Sequence, residues 1–267
     1  MLYPILTVIW YSLFNNVIST KDPVFTGFAH HIKIVKDPVF RAAFGHTVYF
    51  TVLSVVFHLL IGLVFALLLN SKINPLLRSL LRVAYILPWA FTAVVIAIVW
   101  RLILNPMGVM NYILRFFHII QENMEFLGNS KIALNVVTVI NIWAGYPFVM
   151  VSMMAGLQGI PNDMYEAATI DGASSWQQFR AVTIPFLLPI IMSTSLLDFI
   201  WTTQAFAAVW MTTGGGPGRT TEVLSTYTYK LAFNQYQYSA ASAAAMLILI
   251  YSMILAFFYV KNQKNRL

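Results

Sequence analysis

The sequence predicts an all-α integral membrane protein, and three observations predict it. Apolar residues fill 59% of the 267 positions and charged residues 9%, with a mean hydropathy of +0.74. Soluble domains carry about 25% charged residues, so this chain cannot cover itself with a wettable surface and needs the bilayer as solvent. The apolar residues fall in six runs, 1–14, 47–70, 85–105, 134–160, 186–213 and 241–260. These runs are continuous rather than alternating, which argues against a barrel and leaves helices to satisfy the backbone in lipid.

A helix needs about 20 apolar residues to cross a hydrocarbon core of about 30 Å. Five runs reach that length. The first, from Met1 to Phe14, would rise only about 21 Å at 1.5 Å per residue. It has no basic leader and no small-residue cleavage site, so it is read as the remainder of a first span and not as a signal peptide. Asp37-Pro38 has the form of an N-cap followed by proline at the first helical position, so the second helix begins near Phe40, before its apolar run.

The segment 161–185 is polar and rich in small residues. Pro161, Asn162 and Asp163 start a short helix whose acidic residue suits the N-terminal dipole, and Gly172 ends it. Ser175-x-x-Gln178 has the spacing of a capping box that restarts a second short helix, with Pro185 closing it before the fifth run. The expected shape is a helix-turn-helix elbow. Gly214-Gly215-Gly216-Pro217-Gly218 reads as a flexible exterior hinge; without a following Lys-Ser/Thr it is not a phosphate loop.

Charge gives the orientation. With the N-terminus inside, segments 71–84, 161–185 and 261–267 hold seven Lys and Arg, against eight in 15–46, 106–133 and 214–240. The inside segments are about half as long in total. Their density, with Lys72, Arg78, Arg82 and the tail Lys261, Lys264, Arg266, supports both termini inside. The net charge of +7 comes from residues scattered as anchors around the spans, with no basic stripe for nucleic acid. There is no cysteine, hence no thiol chemistry.

The most specific motif is Glu166-Ala167-Ala168-Thr169-Ile170-Asp171-Gly172-Ala173, followed by Ile184-Pro185. It resembles the EAA signature of the transmembrane subunits of ABC importers, with the Gly six residues after the Glu. Asp37 to Phe40, Trp100-Arg101, Asn105-Pro106, Trp143 to Phe148, Ala155 to Pro161 and Gly214 to Glu222 extend the likeness through nearly the whole chain. Those stretches resemble the first of the two permeases in carbohydrate-uptake transporters of the maltose and glycerol-phosphate group.

The resemblance implies a six-transmembrane-helix permease core, without the extra N-terminal helices and large exterior domain of the maltose permease. It implies a multi-pass protein of a bacterial or archaeal cytoplasmic membrane that imports sugars, di- or oligosaccharides foremost. Its implied partners are a second homologous permease, a dimer of ATP-binding subunits and an extracytoplasmic sugar-binding protein. ATP and Mg would sit on the ATPase subunits. This chain has no Gly-Lys dipeptide, hence no Walker A lysine, and is not expected to be an enzyme or to bind a cofactor or metal.

In such an importer 161–185 docks on the ATPase. Ala167 and Ala168 permit close approach, Glu166 and Asp171 offer charge to a basic partner, Gly172 sets the turn, and Ala173 belongs to the same coupling segment. For the substrate, Asn141, Ala144, Gly145 and Phe148 share one helical face by their i, i+3, i+4, i+7 spacing. Asp198, Trp201 and Thr202 share another. Asp198 is the single carboxylate of the apolar runs, and an ionisable residue in a span faces the bundle interior or a water-filled path. The family contacts its sugar from the corresponding faces; Asn141 and Gly145 keep its residues, Phe148 keeps an aromatic, and Asp198 departs from its smaller polar residue.

Each of these residues has an ordinary alternative. Asn141 could bond across helices, Gly145 could serve close packing, Trp201 could be core, and Asp198 could pair with a neighbouring helix. Tyr85, Trp89, Tyr112 and Tyr259 read as interfacial belt residues, Arg101 as a snorkelling cation, and His58 as isolated in an apolar run. The rival classes are an ion-coupled secondary transporter, which commonly shows paired repeats, and a membrane enzyme, which would need a catalytic cluster. The sequence shows no clear repeat and no such cluster.

Overall fold

A computed structural model describes residues 2–15, 17–18, 22–71 and 73–264. Met1 of the first run, and Lys72 and Arg266 of the orientation reading, lie outside them. Among the described residues the regular structure is helical, apart from a short hairpin in which β1 (Phe14–Asn15) pairs antiparallel with β2 (Val24–Phe25). Helix α1 (Leu2–Leu13) packs along the C-terminal helix α13 (Tyr238–Lys264), and α2 (Ala29–Lys36) leads to α3 (Pro38–Asn70). At 12 residues α1 is shorter than a bilayer.

Asp37 caps α3 as the sequence indicates, its Oδ1 accepting from Val39 N at 2.8 Å. The 33-residue helix would be about 50 Å long, so it carries the run 47–70 and begins about two and a half turns before it. Its main partner is α7 (Ala133–Gln158). The two backbones come close at Gly62, where a Cβ would lie 2.7 Å from Val149 Cγ1. Small residues at such crossings allow the packing that holds helices together in lipid.

Two predicted spans are broken. The run 85–105 is split between α4 (Pro75–Ala90) and α5 (Ala93–Ile103), whose axes meet at 100°. Pro88 cannot donate to the carbonyl four residues back, Phe91 is extended, and Thr92 Oγ1 caps α5 by accepting from Val95 N at 3.4 Å. The run 186–213 is divided between α10 (Ile184–Thr203) and α11 (Ala207–Thr212). The chain turns at Gln204 to Phe206, where Ser225 Oγ donates to Ala205 O at 3.1 Å, and α11 then packs across α5. Beyond Gly108, α6 (Val109–Phe116) is a short exterior helix on the orientation above.

Among the described residues, four helices are long and apolar enough to cross a membrane, or five when α4 and α5 count as one bent span. These are α3, α7, Ser175–Thr203 and α13, with the α4–α5 pair.

The elbow differs from expectation in detail. Helix α8 (Asn162–Ile170) ends at Gly172, φ +75°, with Ala173 N donating to Ala168 O at 2.9 Å. The capping box lies one residue earlier than the spacing suggested. Ser174 N donates to Gln177 Oε1 at 2.7 Å, and Gln177 N donates to Ser174 Oγ at 3.4 Å. Gln178 instead reaches back across the turn to Thr169 Oγ1 and Ala173 O. Nor does Pro185 close the helix. From α9 (Ser175–Gln178) the chain passes through a π-turn (Phe179–Thr183) into α10 without a break. The wider turn redirects a hydrogen bond, Ile184 N to Phe179 O, so the proline is accommodated near the start of α10.

The glycine run is a bonded turn and not a loose hinge. Gly214, Gly215 and Gly218 have positive φ, Thr221 Oγ1 donates to Gly216 O, and Thr213 Oγ1 lies 2.7 Å from Thr221 Oγ1. It leads into α12 (Leu224–Tyr229) and a second π-turn (Lys230–Asn234) before α13.

Candidate functional site

All seven residues assigned to substrate from the sequence line one cavity. Asn141, Ala144, Gly145 and Phe148 come from α7, and Asp198, Trp201 and Thr202 from α10. The cavity has a volume of about 180 Å³, and His58, Trp89 and Ala205 complete its lining. The helical period explains why four residues of α7 face it together. The tertiary crossing of α3, α7 and α10 explains why the two sets meet.

Asp198 is 5% exposed and His58 1%. Asp198 Oδ2 lies 2.8 Å from His58 Nδ1, and His58 Nε2 lies 3.0 Å from Asn141 O. Thr202 Oγ1 donates to Asp198 Oδ1 at a long 3.3 Å. The reading of His58 as isolated is therefore wrong. A lone buried carboxylate must have a partner, and that signal could have pointed to the one histidine of the apolar runs. Asn141 does bond across helices, its Nδ2 donating to Ser54 Oγ at 3.0 Å, and it also lines the cavity.

Trp201 is 56% exposed, so it is not a core residue. Its indole lies 5.0 Å from the Phe148 ring, and Trp89 adds a third aromatic 6.3 Å from Phe148. Trp89 thus lines the cavity, from the end of α4 just before its break. Tyr85 is also drawn inward. It stacks on Phe65 at 4.2 Å, and its carbonyl accepts from Tyr146 Oη at 3.0 Å.

The elbow residues lie together at the other end of the helices. Tyr165 Oη lies 2.9 Å from Thr183 Oγ1, and Tyr165 and half-buried Ala168 pack against the core beside α7. That contact orients α8 so that Glu166, Ala167, Asp171 and Gly172 remain exposed. Ile170 and Trp176, 86% and 68% exposed, extend the same surface with apolar area. A polar elbow of small residues flanked by bare apolar side chains has the make-up of a docking surface.

The family model described as "Binding-protein-dependent transport system inner membrane component" matches residues 58–267. The chain belongs to this family. The permease is 32% identical over 270 residues to the trehalose/maltose transport system permease protein MalF of Thermococcus litoralis, covering all of this chain and 89% of that one. It is 31% identical to the diacetylchitobiose uptake system permease protein DasB of Streptomyces coelicolor, over 88% of this chain and 72% of that one. A chain in the crystal structure of a bacterial ABC transporter involved in the import of alginate superposes with a TM-score of 0.83 at 23% identity, covering 99% and 95% of the two chains. That match shows the fold of the permease to be that of an ABC importer's membrane subunit.

Proposed function

We propose that the permease forms half of the translocation pore of an ATP-driven, binding-protein-dependent sugar importer, with di- or oligosaccharides as cargo. The cavity carries this reading: it sets a carboxylate and an amide among three aromatic rings. A carboxylate accepts from sugar hydroxyls, and an indole presents an apolar face to a sugar ring. The printed names of the two relatives, trehalose/maltose transport and diacetylchitobiose uptake, support the same substrate class.

In this reading a second, homologous permease closes the open side of the cavity, and an extracytoplasmic binding protein delivers the sugar. A dimer of ATP-binding subunits, which hold the ATP and Mg, docks on the elbow from the inside of a bacterial or archaeal cytoplasmic membrane. ATP and the loaded binding protein each favour one state of a common inward–outward equilibrium, so neither has to push the sugar. Glu166 and Asp171 meet basic groups on the ATPase while Ala167, Ala168 and Ala173 allow close contact.

The test is reconstitution of the four-part complex with a labelled panel of neutral saccharides. Vanadate-sensitive uptake of a panel member is expected, with no ATP hydrolysis by this chain alone. Uptake driven by an ion gradient and indifferent to vanadate would replace the importer with a secondary transporter.

A further inference from the structure

We propose that His58 is a specificity-determining positioning residue: it shares one proton with Asp198, so that the cavity is electrically neutral and takes an uncharged sugar. This rests on the sugar reading above and narrows its substrate class.

Hydrogen-bond accounting fixes the charge. Asn141 O is a carbonyl oxygen and can only accept, so His58 Nε2, 3.0 Å away, must carry a hydrogen. The opposite nitrogen, Nδ1, faces Asp198 Oδ2 at 2.8 Å. Two bare lone pairs would repel at that distance, so one proton lies between them. It belongs either to an imidazolium facing a carboxylate or to a carboxyl facing a neutral ring. In both cases the pair has no net charge.

The surroundings hold it so. His58 is 1% exposed and packs on Gly145, whose α-hydrogen face leaves no room for another carbon. Among the described residues, this chain lines its side of the cavity with no Lys or Arg, and the remaining polar side chains there, Asn141 and Thr202, are uncharged. On this chain's side of the cavity an acidic sugar's carboxylate would meet no cation, and desolvating an unpaired charge is costly. A neutral sugar finds an anchored acceptor, because Asp198 Oδ1 has only the long Thr202 contact to satisfy it. Without His58 the same carboxylate would be buried and uncompensated, which is more damaging than replacing both partners together.

The test uses the assembled transporter in lipid nanodiscs with ¹⁵N-histidine at neutral pH. His58 is assigned by its loss in His58→Asn. Expected is a protonated Nε2 with Nδ1 shifted away from a free lone pair; a free-lone-pair shift at Nδ1 overturns the shared proton. Uptake is measured with maltotriose and with trigalacturonate as the acidic counterpart. Wild type should carry the neutral trisaccharide at least tenfold better. His58→Leu should lose transport at least tenfold, His58→Asn, which keeps a donor near Asp198, should retain more, and His58→Leu with Asp198→Asn should recover much of the loss. Space-filling alone predicts no such recovery, so its absence overturns the pairing role. Uptake of the uronate equal to maltotriose overturns the charge selection. If neither saccharide is carried while the imidazole shifts are as expected, the sugar reading and the selection built on it fall, and the neutral pair stands.

Discussion

Gly145 and His58 fit together with no spare volume: a Cβ built on Gly145 would lie 2.4 Å from both Cε1 and Nε2 of the imidazole. The ring cannot simply swing aside, because its two nitrogens are bonded to Asp198 and Asn141 O. The glycine of α7 is thereby the floor on which the α3–α10 pair rests.

Gly145→Ala should therefore push His58 off both partners. Overpacking of this kind costs about 1–3 kcal/mol. The expected result is a complex with a lower thermal midpoint and reduced uptake, measured side by side. Unchanged stability and uptake would show that the ring relaxes freely.

Asp198→Ala removes the acceptor and strands His58 Nδ1. A buried group left without its partner costs about 1–3 kcal/mol, which corresponds to a loss of transport of roughly 5- to 150-fold. Asp198→Asn should assemble well and transport better than the alanine variant, because its amide can donate to Nδ1 of a neutral ring. Complex yield and uptake separate the roles. If surviving Asp198→Ala complexes transport normally, Asp198 serves helix pairing alone.

Gly172→Val tests the elbow. No neighbouring atom would obstruct the new side chain, so the effect isolates the backbone, held at φ +75°. A non-glycine residue in that region costs of order 1–3 kcal/mol, more at the β-branched end. We expect assembly with ATP hydrolysis largely retained and uptake per ATP reduced several-fold. Wild-type coupling in a normally assembled complex would remove the elbow from the coupling role.

Helix α2, which precedes the long helix α3, gives a pH prediction. Burial lowers the pKa of His30 and of His31, with Lys33 adding to the first and His30 to the second. Both nitrogens of buried His31 lack a hydrogen-bond partner. With folded pKa values below the ordinary histidine value of about 6.5, the unfolded segment binds more protons as the medium is acidified. The contribution to stability is complete above about pH 6.5 and is lost as pH falls through and below that value. Amide exchange in Ala29–Lys36 should accelerate on acidification to pH 5 beyond the intrinsic pH effect, and His31→Phe should blunt the change.

Local chemistry alone determined much of this molecule. Continuous apolar runs specified membrane helices, Asp37-Pro38 placed the start of α3, and Gly172 placed the turn of the elbow. The spacing of Asn141, Ala144, Gly145 and Phe148 put them on one face, because helical periodicity is a property of adjacent turns. The apolar content of run 85–105 concealed the break between α4 and α5, where Pro88 and Thr92 stand. The partner of Asp198 was another matter. His58 lies 140 residues away in the chain, Ser54 lies 87 from Asn141, and Trp89 reaches the cavity from α4, which packs on α7. Sequence spacing dictates which side chains share a face of one helix. Which faces meet is decided by how whole helices pack, where Gly62 and Gly145 let backbones and rings come into contact, and a buried charge then takes the partner that this packing supplies.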